Sequence, residues 1–274
     1  MTVARIDACF SALKAQNKAA FIAYVMAGDP DPATSATILD GLVTAGADLI
    51  EVGFPFSDPM AEGPTIQLAS QRALEAGMTL RKVLDMVADF RTRHADVPVI
   101  LMGYLNPVLS FGFDAFAAEA AKAGVDGVII VDCPPEEADP LIDALDQHQL
   151  ALIRLAAPTT DDARLPRVIQ RTSGFLYYVS VAGVTGVKEA DAAGIAPAVA
   201  RVQAASGLPV AVGFGIKTPE RAAEIARIAD AAVVGSALVD DIAQSIARHE
   251  PAHKAVLERA TVLAQAVHTA RVNA

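Results

Sequence analysis

The sequence predicts an α/β fold, a (β/α)8 TIM barrel with an extra N-terminal helix. Short, continuous apolar runs alternate with longer alanine-rich segments that carry scattered charges. This alternation is typical of parallel strands buried on both faces and of the helices that cover them. Glycine-rich segments follow the last three runs, where barrels commonly bind phosphate, whereas a doubly wound sheet carries its phosphate loop after the first strand. The 274 residues suit one barrel and contain no linker, so we expect residues 1–274 to form a single domain.

Eight apolar runs are expected to form the strands. In chain order they are Phe21–Met26, Asp48–Val52, Val97–Met102, Gly127–Val131, Leu150–Leu155, Phe175–Ser180, Pro209–Phe214 and Ala231–Val234. Seven patterns with helical spacing lie between the runs. They are Pro32–Ala45, Met78–His94, Phe113–Ala123, Pro135–His148, Asp161–Arg171, Pro197–Ala205 and Thr218–Ile228.

Three further helical segments complete the prediction. The amphipathic segment Arg5–Gln16 precedes the first strand. The gap between the second and third strands is the longest, and we expect an additional short helix near Thr65–Gly77. Helix-forming sequence from Asp240 to Val272 closes the chain and is interrupted at Pro251, because proline lacks the N–H that a helix interior needs.

Composition and charge exclude several classes of protein. Hydrophobic residues make up 53 % of the chain and charged residues 20 %, which excludes a disordered chain. The net charge of −10 and the lack of a basic stripe argue against nucleic-acid binding, so a phosphorylated substrate would need local donors. Without a signal peptide or a long uncharged apolar run, we expect a cytoplasmic protein that does not enter a membrane. Cys9 and Cys133 lie far apart and are expected to be free thiols.

Glu51 is the strongest candidate for chemistry. It lies within the apolar run of the second predicted strand, where a carboxylate costs free energy unless it is paired or protonated. At the carboxyl end of a barrel strand its side chain would reach the mouth of the active site. Partial removal from water would raise its pKa towards neutrality, as proton transfer requires. A structural glutamate paired with a neighbouring loop is the alternative.

The segment after this strand, Gly53–Thr65, contains three prolines and further carboxylates at Asp58 and Glu62. We interpret it as a long, shaped loop over the mouth of the barrel. Two acids in different environments can take different roles in catalysis. Asp58 precedes a proline and is more simply explained as a residue that stabilises the loop.

Glycines follow three consecutive strands and predict a phosphate site. They lie in Val181–Gly186, in Gly213–Gly215 and at Gly235, which is followed by Ser236. Glycine lets backbone N–H groups approach an anion, and a helix that starts after Gly235 would add its dipole. Such a site suits an acidic protein, because backbone donors need no lysine or arginine.

The positions of the basic residues limit the chemistry further. None of the lysines lies in a predicted strand, which disfavours a Schiff base. All five histidines lie on predicted helices or at their ends, so we expect no catalytic metal. Any cleavage of a carbon–carbon bond would then depend on carboxylate acid–base catalysis.

Seven short motifs, spread over nearly the whole chain, carry a family resemblance. They are Gly28–Pro30, Phe54–Pro59, Glu62–Gln67, Val131–Glu137, Gly183–Gly186, Gly213–Ile216 and the pair Gly235 and Ser236. Together they resemble the tryptophan synthase alpha chain family. The resemblance implies cleavage of indole-3-glycerol phosphate to indole and glyceraldehyde 3-phosphate, a retro-aldol reaction without a cofactor.

The resemblance also implies roles for individual residues. Glu51 matches the acid/base that delivers a proton to indole C3. Glu62 occupies the place of an aspartate on the indole nitrogen side, and its extra methylene would shift the carboxylate by about 1 Å. The residues implied to contact the substrate are Tyr24, where the family often has Phe, Met102, Tyr177, Thr185 and Phe214. The residues expected at the phosphate are Gly186, Gly213, Gly215, Gly235 and Ser236.

A partner is implied as well. The family works with a pyridoxal-phosphate beta chain in an α2β2 heterotetramer, and the indole passes to that chain for L-tryptophan synthesis. The resemblance places the partner near Phe54–Met60, Tyr104–Pro107 and Asp132–Glu136. Closure of Gly183–Val187 over Glu62 would order the site and couple the two subunits allosterically.

Three other functions remain open on the sequence alone. A sugar-phosphate isomerase or epimerase would share the barrel and the phosphate site but would not need the acidic, proline-rich loop. A stand-alone lyase would release indole without a partner. A non-catalytic regulatory subunit would bind the ligand without releasing indole.

Overall fold

The computed structural model describes residues 3–179, 192–213 and 215–272. In these residues a parallel sheet is surrounded by α-helices, which confirms the predicted α/β barrel. The strands are β1 (Ala20–Met26), β2 (Leu49–Gly53), β3 (Val99–Gly103), β4 (Gly127–Ile130), β5 (Ala151–Leu152), β6 (Arg154–Ala156), β7 (Leu176–Val179), β8 (Val210–Gly213) and β9 (Ala231–Val234).

The α-helices lie between and after these strands, and a short 3-10 helix spans Pro135–Glu137. They are α1 (Val3–Ala15), α2 (Pro32–Thr44), α3 (Pro64–Glu75), α4 (Leu80–Arg93), α5 (Leu105–Phe111), α6 (Phe113–Ala123), α7 (Asp139–Gln147), α8 (Leu165–Ile169), α9 (Ala192–Ser206), α10 (Pro219–Ile228), α11 (Ser236–Ala247) and α12 (Ala252–Thr269). Within the described ranges, no helix combines the length and the apolar character that a membrane crossing requires.

The sheet closes where the fifth predicted strand divides into β5 and β6. The strands lie in the order β5-β4-β3-β2-β1-β9-β8-β7-β6, so β5 and β6 form the two edges. Only Ile153 separates these two pieces, and its N–H donates to the carbonyl of Val128 on β4 at 2.9 Å. The predicted single strand Leu150–Leu155 is therefore divided in two: β5 pairs with β4, and β6 pairs with β7. The division joins the edges and completes the barrel.

Strand register decides which side chains share the interior. Tyr24 lies opposite Glu51, and Glu51 lies opposite Ile100. Residues in register in a parallel sheet point to the same face, so the side chains of Tyr24, Glu51 and Ile100 share one face. Side chains alternate along a strand, so Met102, which lies opposite Gly53, points to that face as well. The registers therefore bring Tyr24, Glu51 and Met102 together at the carboxyl end of the barrel.

Helix α1 closes the opposite, amino-terminal end, as the predicted N-terminal helix should. Its Phe10 ring lies 5.7 Å from the ring of Phe175. Its Arg5 donates to the buried carboxylate of Asp126 at 2.7 Å, and Arg91 and the Val99 N–H donate to the other oxygen. Asp126 thus has a partner for each carboxylate oxygen, which offsets the cost of its burial.

Several helix boundaries differ from the prediction, and proline explains two of them. The pattern Pro135–His148 forms a 3-10 turn followed by α7, so that Pro140 falls in the first turn of a helix, where no N–H is needed. Pro166 has the same position in α8, which is shorter than the predicted Asp161–Arg171. The sequence prediction missed α5, a short helix whose apolar pattern is too brief to detect.

Candidate active site

Glu51 is the central residue of the site. It lies in the middle of β2 and is 0 % exposed. Neither of its carboxylate oxygens has a hydrogen-bond partner in the described part of the chain. Burial raises the pKa of Glu51 to about 8, and the nearby carboxylate of Glu62 adds to the increase. Glu51 therefore holds a proton that it can exchange near neutral pH.

Glu62 reaches the same space from the loop between β2 and α3. It is 9 % exposed, and burial raises its pKa to about 7. Two hydrogen bonds fix its backbone: the Glu62 N–H donates to the Pro59 carbonyl at 3.0 Å, and Gln67 donates to the Glu62 carbonyl at 2.9 Å. The loop thus brings a second titratable carboxyl group close to Glu51, as the sequence predicted.

Tyr104 holds this loop in place. Its hydroxyl accepts a hydrogen bond from the Ala61 N–H at 2.9 Å, directly before Glu62. Its ring stacks on Phe56 with 5.4 Å between the centroids, and the Phe56 backbone is bonded in turn to the Ser70 hydroxyl. Sequence reasoning missed this positioning role, because nothing in the sequence shows that Tyr104 meets a loop some forty residues earlier.

Two buried tyrosines border the carboxyl groups. Burial raises the pKa of both Tyr24 and Tyr177 well above the ordinary value, and the charges of Glu51 and Glu62 add to the increase. Both phenols are therefore neutral at physiological pH and can donate a hydrogen bond. Met102 is buried on the neighbouring strand β3 and adds an apolar wall.

Glycines make room for these tyrosines. A Cβ on Gly53 would lie 2.3 Å from the Tyr24 hydroxyl oxygen, and a Cβ on Gly213 would lie 1.9 Å from that of Tyr177. A Cβ on Gly235 would lie 3.1 Å from the Tyr24 ring. These positions exclude larger residues because of the neighbouring aromatic side chains. The sequence prediction explained Gly213 and Gly235 by phosphate alone and did not single out Gly53.

The predicted phosphate residues that the structure describes lie at the carboxyl ends of the neighbouring strands β8 and β9. Gly213 ends β8, and Gly215 follows it with a φ of +78°. Gly235 precedes α11, and Ser236 is the first residue of that helix, which has no acidic residue in its first turn. The first N–H groups of a helix have no partner within the helix and favour an anion. Thr185, Gly186 and Phe214 lie outside the described residues.

Three other expectations from the sequence concern the partner surface, a metal site and the cysteines. Phe54 and Tyr104 lie in segments expected to face a partner, but both side chains are buried, because they pack against the barrel and the loop. In the part of the chain that is described, no three His, Cys, Asp or Glu side chains gather as they would around a metal ion. Cys9 and Cys133 are both free thiols, as predicted.

Comparisons with known proteins identify the family. Residues 10–268 match the family model described as tryptophan synthase alpha chain. The tryptophan synthase alpha chain of Caulobacter vibrioides is 69 % identical over 272 residues, which is 99 % of each chain. That of Phenylobacterium zucineum is 65 % identical over 271 residues, 99 % of this chain and 98 % of the relative.

Solved structures agree with this result. Tryptophan synthase subunit alpha from Legionella pneumophila superposes with a TM-score of 0.90 at 42 % identity, covering 96 % of this chain and 98 % of the other. A structure of tryptophan synthase from M. tuberculosis gives a TM-score of 0.86 at 36 % identity, covering 96 % and 99 %. The chain belongs to the tryptophan synthase alpha chain family, whose α subunit cleaves indole-3-glycerol phosphate.

Proposed function

We propose that Glu51 and Glu62 carry the proton transfers by which this chain cleaves indole-3-glycerol phosphate to indole and glyceraldehyde 3-phosphate. The observation that supports this most strongly is the Glu51 carboxyl group, which is fully buried and lacks a hydrogen-bond partner among the described residues. A pKa of about 8 keeps it protonated at neutral pH. It can then give a proton to the substrate and regain one in the same turnover.

The chemistry follows from the two carboxyl groups. Protonation of indole C3 makes the ring an electron sink, and removal of the proton from the glycerol C3′ hydroxyl starts the cleavage. The carbon–carbon bond breaks, its electrons pass into the indole ring, and the alcohol becomes the aldehyde of glyceraldehyde 3-phosphate. Glu51 gives its proton to C3 and, as the resulting carboxylate, takes the proton of the C3′ hydroxyl, so it is protonated again once the bond has broken. Glu62 stabilises the indole nitrogen: it takes the N–H proton as C3 is protonated and returns it as the electrons enter the ring. Burial strengthens both electrostatic effects.

The remaining residues bind the two ends of the substrate in this proposal. Tyr24, Met102 and Tyr177 border the indole ring, together with Thr185 and Phe214. The phosphate lies on the N-terminus of α11 at Gly235 and Ser236 and on the neighbouring backbone at Gly186, Gly213 and Gly215. Backbone donors and a helix dipole support an anion here without a basic side chain.

Tryptophan synthase alpha chains work with a beta chain. We propose the α2β2 heterotetramer for this chain, with indole passing directly to the beta chain for L-tryptophan synthesis. The exposed parts of the loops at the carboxyl end of the barrel support this contact. Met60 is 75 % exposed in the same loop as Glu62, and Asn106 and Pro134 are also exposed. An apolar side chain in such a position is typical of a protein interface.

The assignment of Glu51 is tested by indole release from indole-3-glycerol phosphate. We expect Glu51→Gln to lower turnover by about 10²–10⁴-fold or more, since a positioned acid or base supplies at least that factor. Asp58→Asn is the matched control, because Asp58 is an exposed carboxylate in the same loop as Glu62, and it should keep near wild-type turnover. If the folded Glu51→Gln protein retained more than a tenth of wild-type turnover, Glu51 would not be the acid.

A further inference from the structure

A cavity of about 420 Å³ lies on the outer side of the barrel, beneath the segments that follow β4 and β6. Its lining includes Arg154, Arg164, Thr160, Cys133 and Val168. None of the described residues that we assign to indole-3-glycerol phosphate lines it, although part of its lining, from Asp132 to Pro135, belongs to a segment expected to face the beta chain. The cavity has the size of a small-molecule site and is distinct from the proposed site of cleavage.

Arg154 is the unusual residue of this cavity. It lies on β6, and only 6 % of it is exposed. Its Nε is buried and has no hydrogen-bond partner in the described ranges. Burial lowers the pKa of Arg154, but a guanidinium group remains charged at neutral pH. A buried charge without a paired acceptor is costly, so its persistence calls for an explanation.

The neighbouring charges do not pair with Arg154 directly. The carboxylates of Glu136 and Asp139 are close enough to favour its charged form, while Arg167 opposes it. Both oxygens of Glu136 are occupied by the guanidinium of Arg164. The cavity therefore has one guanidinium that is already paired, from Arg164, and one that is not, from Arg154.

Besides the two arginines, Asp132 and Cys133, the lining offers a hydroxyl group and apolar side chains. The Thr160 oxygen accepts the Ala157 N–H at 3.0 Å, which leaves the Thr160 O–H to donate elsewhere. Ile130, Leu155 and Val168 supply apolar walls. We propose that this cavity binds a small organic monocarboxylate with an apolar body, its carboxylate on Arg154 and Thr160 and its apolar part against these walls.

The charge balance favours a carboxylate over a phosphate. One guanidinium group matches one carboxylate in charge and can bind it through two parallel hydrogen bonds. A phosphate would bring a second negative charge and a third oxygen, but the other guanidinium group in the lining, that of Arg164, is already paired with Glu136. The carboxylate of Asp132, which also lines the cavity and accepts the Leu105 N–H, repels any anion, and it repels a doubly charged phosphate more than a singly charged carboxylate.

The test compares benzoate with benzamide, which has nearly the same shape but no charge. Calorimetric titration of the full chain should give saturable benzoate binding in the millimolar range or tighter, with benzamide at least tenfold weaker. Arg154→Met should weaken benzoate binding at least tenfold. Arg167→Met is the matched control, since Arg167 is near Arg154 but does not line the cavity, and its affinity should stay within threefold of wild type.

A second measurement uses the unaltered protein and so does not depend on the folding of a variant. The thiol of Cys133 lines the cavity, so saturating benzoate should slow its alkylation by iodoacetamide, followed by peptide mass spectrometry. The proposal is overturned if benzoate does not bind the wild-type chain, or if benzamide binds equally well. It is also overturned if Arg154→Met leaves benzoate affinity unchanged, or if inorganic phosphate alone binds with a dependence on Arg154.

Discussion

Burial raises the pKa values of two glutamates at the carboxyl end of this barrel. Glu51 and Glu62 both have pKa values raised towards neutrality, and in each case removal from water is the main cause. A carboxyl group in water would be fully ionised at neutral pH and could not act as an acid. The environment of each side chain, more than its chemical type, therefore makes proton transfer possible here.

The raised pKa of Glu51 makes the folded chain less stable as the pH rises. The pKa of Glu51 is raised from an ordinary 4.5 to about 8 in the folded chain, so its contribution to stability is fully present below 4.5 and is lost as the pH rises towards 8. Glu51→Gln removes this loss. We expect the variant and the wild type to be similarly stable near pH 5, and the variant to be more stable by several kcal/mol near pH 9.

Urea unfolding at a series of pH values measures this difference. The matched control is Glu75→Gln, which neutralises an exposed glutamate and should leave the pH dependence of the free energy of unfolding unchanged. A constant difference between Glu51→Gln and the wild type from pH 5 to pH 9 would contradict the raised pKa. It would also remove the main support for Glu51 as the acid at neutral pH.

Single residues divide into those that sequence patterns predict and those that need the fold. Glu51 and Glu62 were predictable, because a charge inside an apolar run and a carboxylate in a proline-rich loop are visible along the chain. The contacts of Gly53 with Tyr24 and of Gly213 with Tyr177 were not, since each joins positions on different strands. Only the closed barrel brings such residues within van der Waals distance.

The loop between β2 and α3 is the first element whose geometry has a functional consequence. We expect Tyr104→Phe to lower turnover about tenfold, because the Ala61 N–H would lose its acceptor and Glu62 would lose part of its support. The ring stack on Phe56 would remain, so the melting temperature should change little. Since Tyr104 acts through Glu62, the pH profile of turnover should shift as well.

Ser70→Ala is the control for this variant. Ser70 bonds the backbone of Phe56 near the start of the same loop, whereas Tyr104 bonds Ala61, directly before Glu62. It should destabilise the loop without a specific shift in the pH profile. Equal pH profiles for wild type and Tyr104→Phe would mean that Tyr104 supports the fold and not the position of Glu62.

Helix α11 is the second element whose geometry has a functional consequence. A substitution in its first turn can separate phosphate binding from the stability of the helix. An aspartate in the first turn of a helix is favourable to the helix, but it would repel a phosphate bound at the same N–H groups. We therefore expect Ser236→Asp to keep the melting temperature and to weaken glycerol 3-phosphate binding at least tenfold, as measured by titration. Ser236→Ala should weaken it much less.

A charge at Gly213 would be a poorer test of the same site. Its Cβ would collide with the Tyr177 hydroxyl, so lost affinity could not be separated from a displaced tyrosine. If Ser236→Asp bound glycerol 3-phosphate as tightly as the wild type, the phosphate would have to lie away from the start of α11.

Elements were predictable where the hydrophobic pattern was long. Helix α6 has the predicted bounds, and α10 begins one residue after the predicted Thr218, which is its N-cap. The pattern failed where pairing between distant strands decided the outcome. The division of the fifth strand at Ile153 follows from its two different neighbours, and no property of residues Leu150–Leu155 alone predicts it.

On the scale of the whole molecule, the contacts that close the barrel and the candidate site lie at opposite ends. The amino-terminal end is closed by α1 and by the buried carboxylate of Asp126 with its two arginines. The carboxyl-terminal end carries Glu51, Glu62 and the glycines that follow β8 and β9. Barrels commonly divide their roles in this way, because the loops after the strands can vary without disturbing the closed sheet.

The last prediction concerns the partner at this end. If substrate binding orders the loops that we propose as the contact with a beta chain, glycerol 3-phosphate should raise the affinity for the beta chain, and the beta chain should raise the affinity for glycerol 3-phosphate by the same factor. Titrations of each ligand with and without the other measure both factors. Met60→Gln should weaken beta-chain binding without changing indole release by the isolated chain, while Val262→Gln, an exposed residue on α12, should change neither. Two independent binding curves would remove the allosteric coupling and leave a lyase that only docks with its partner.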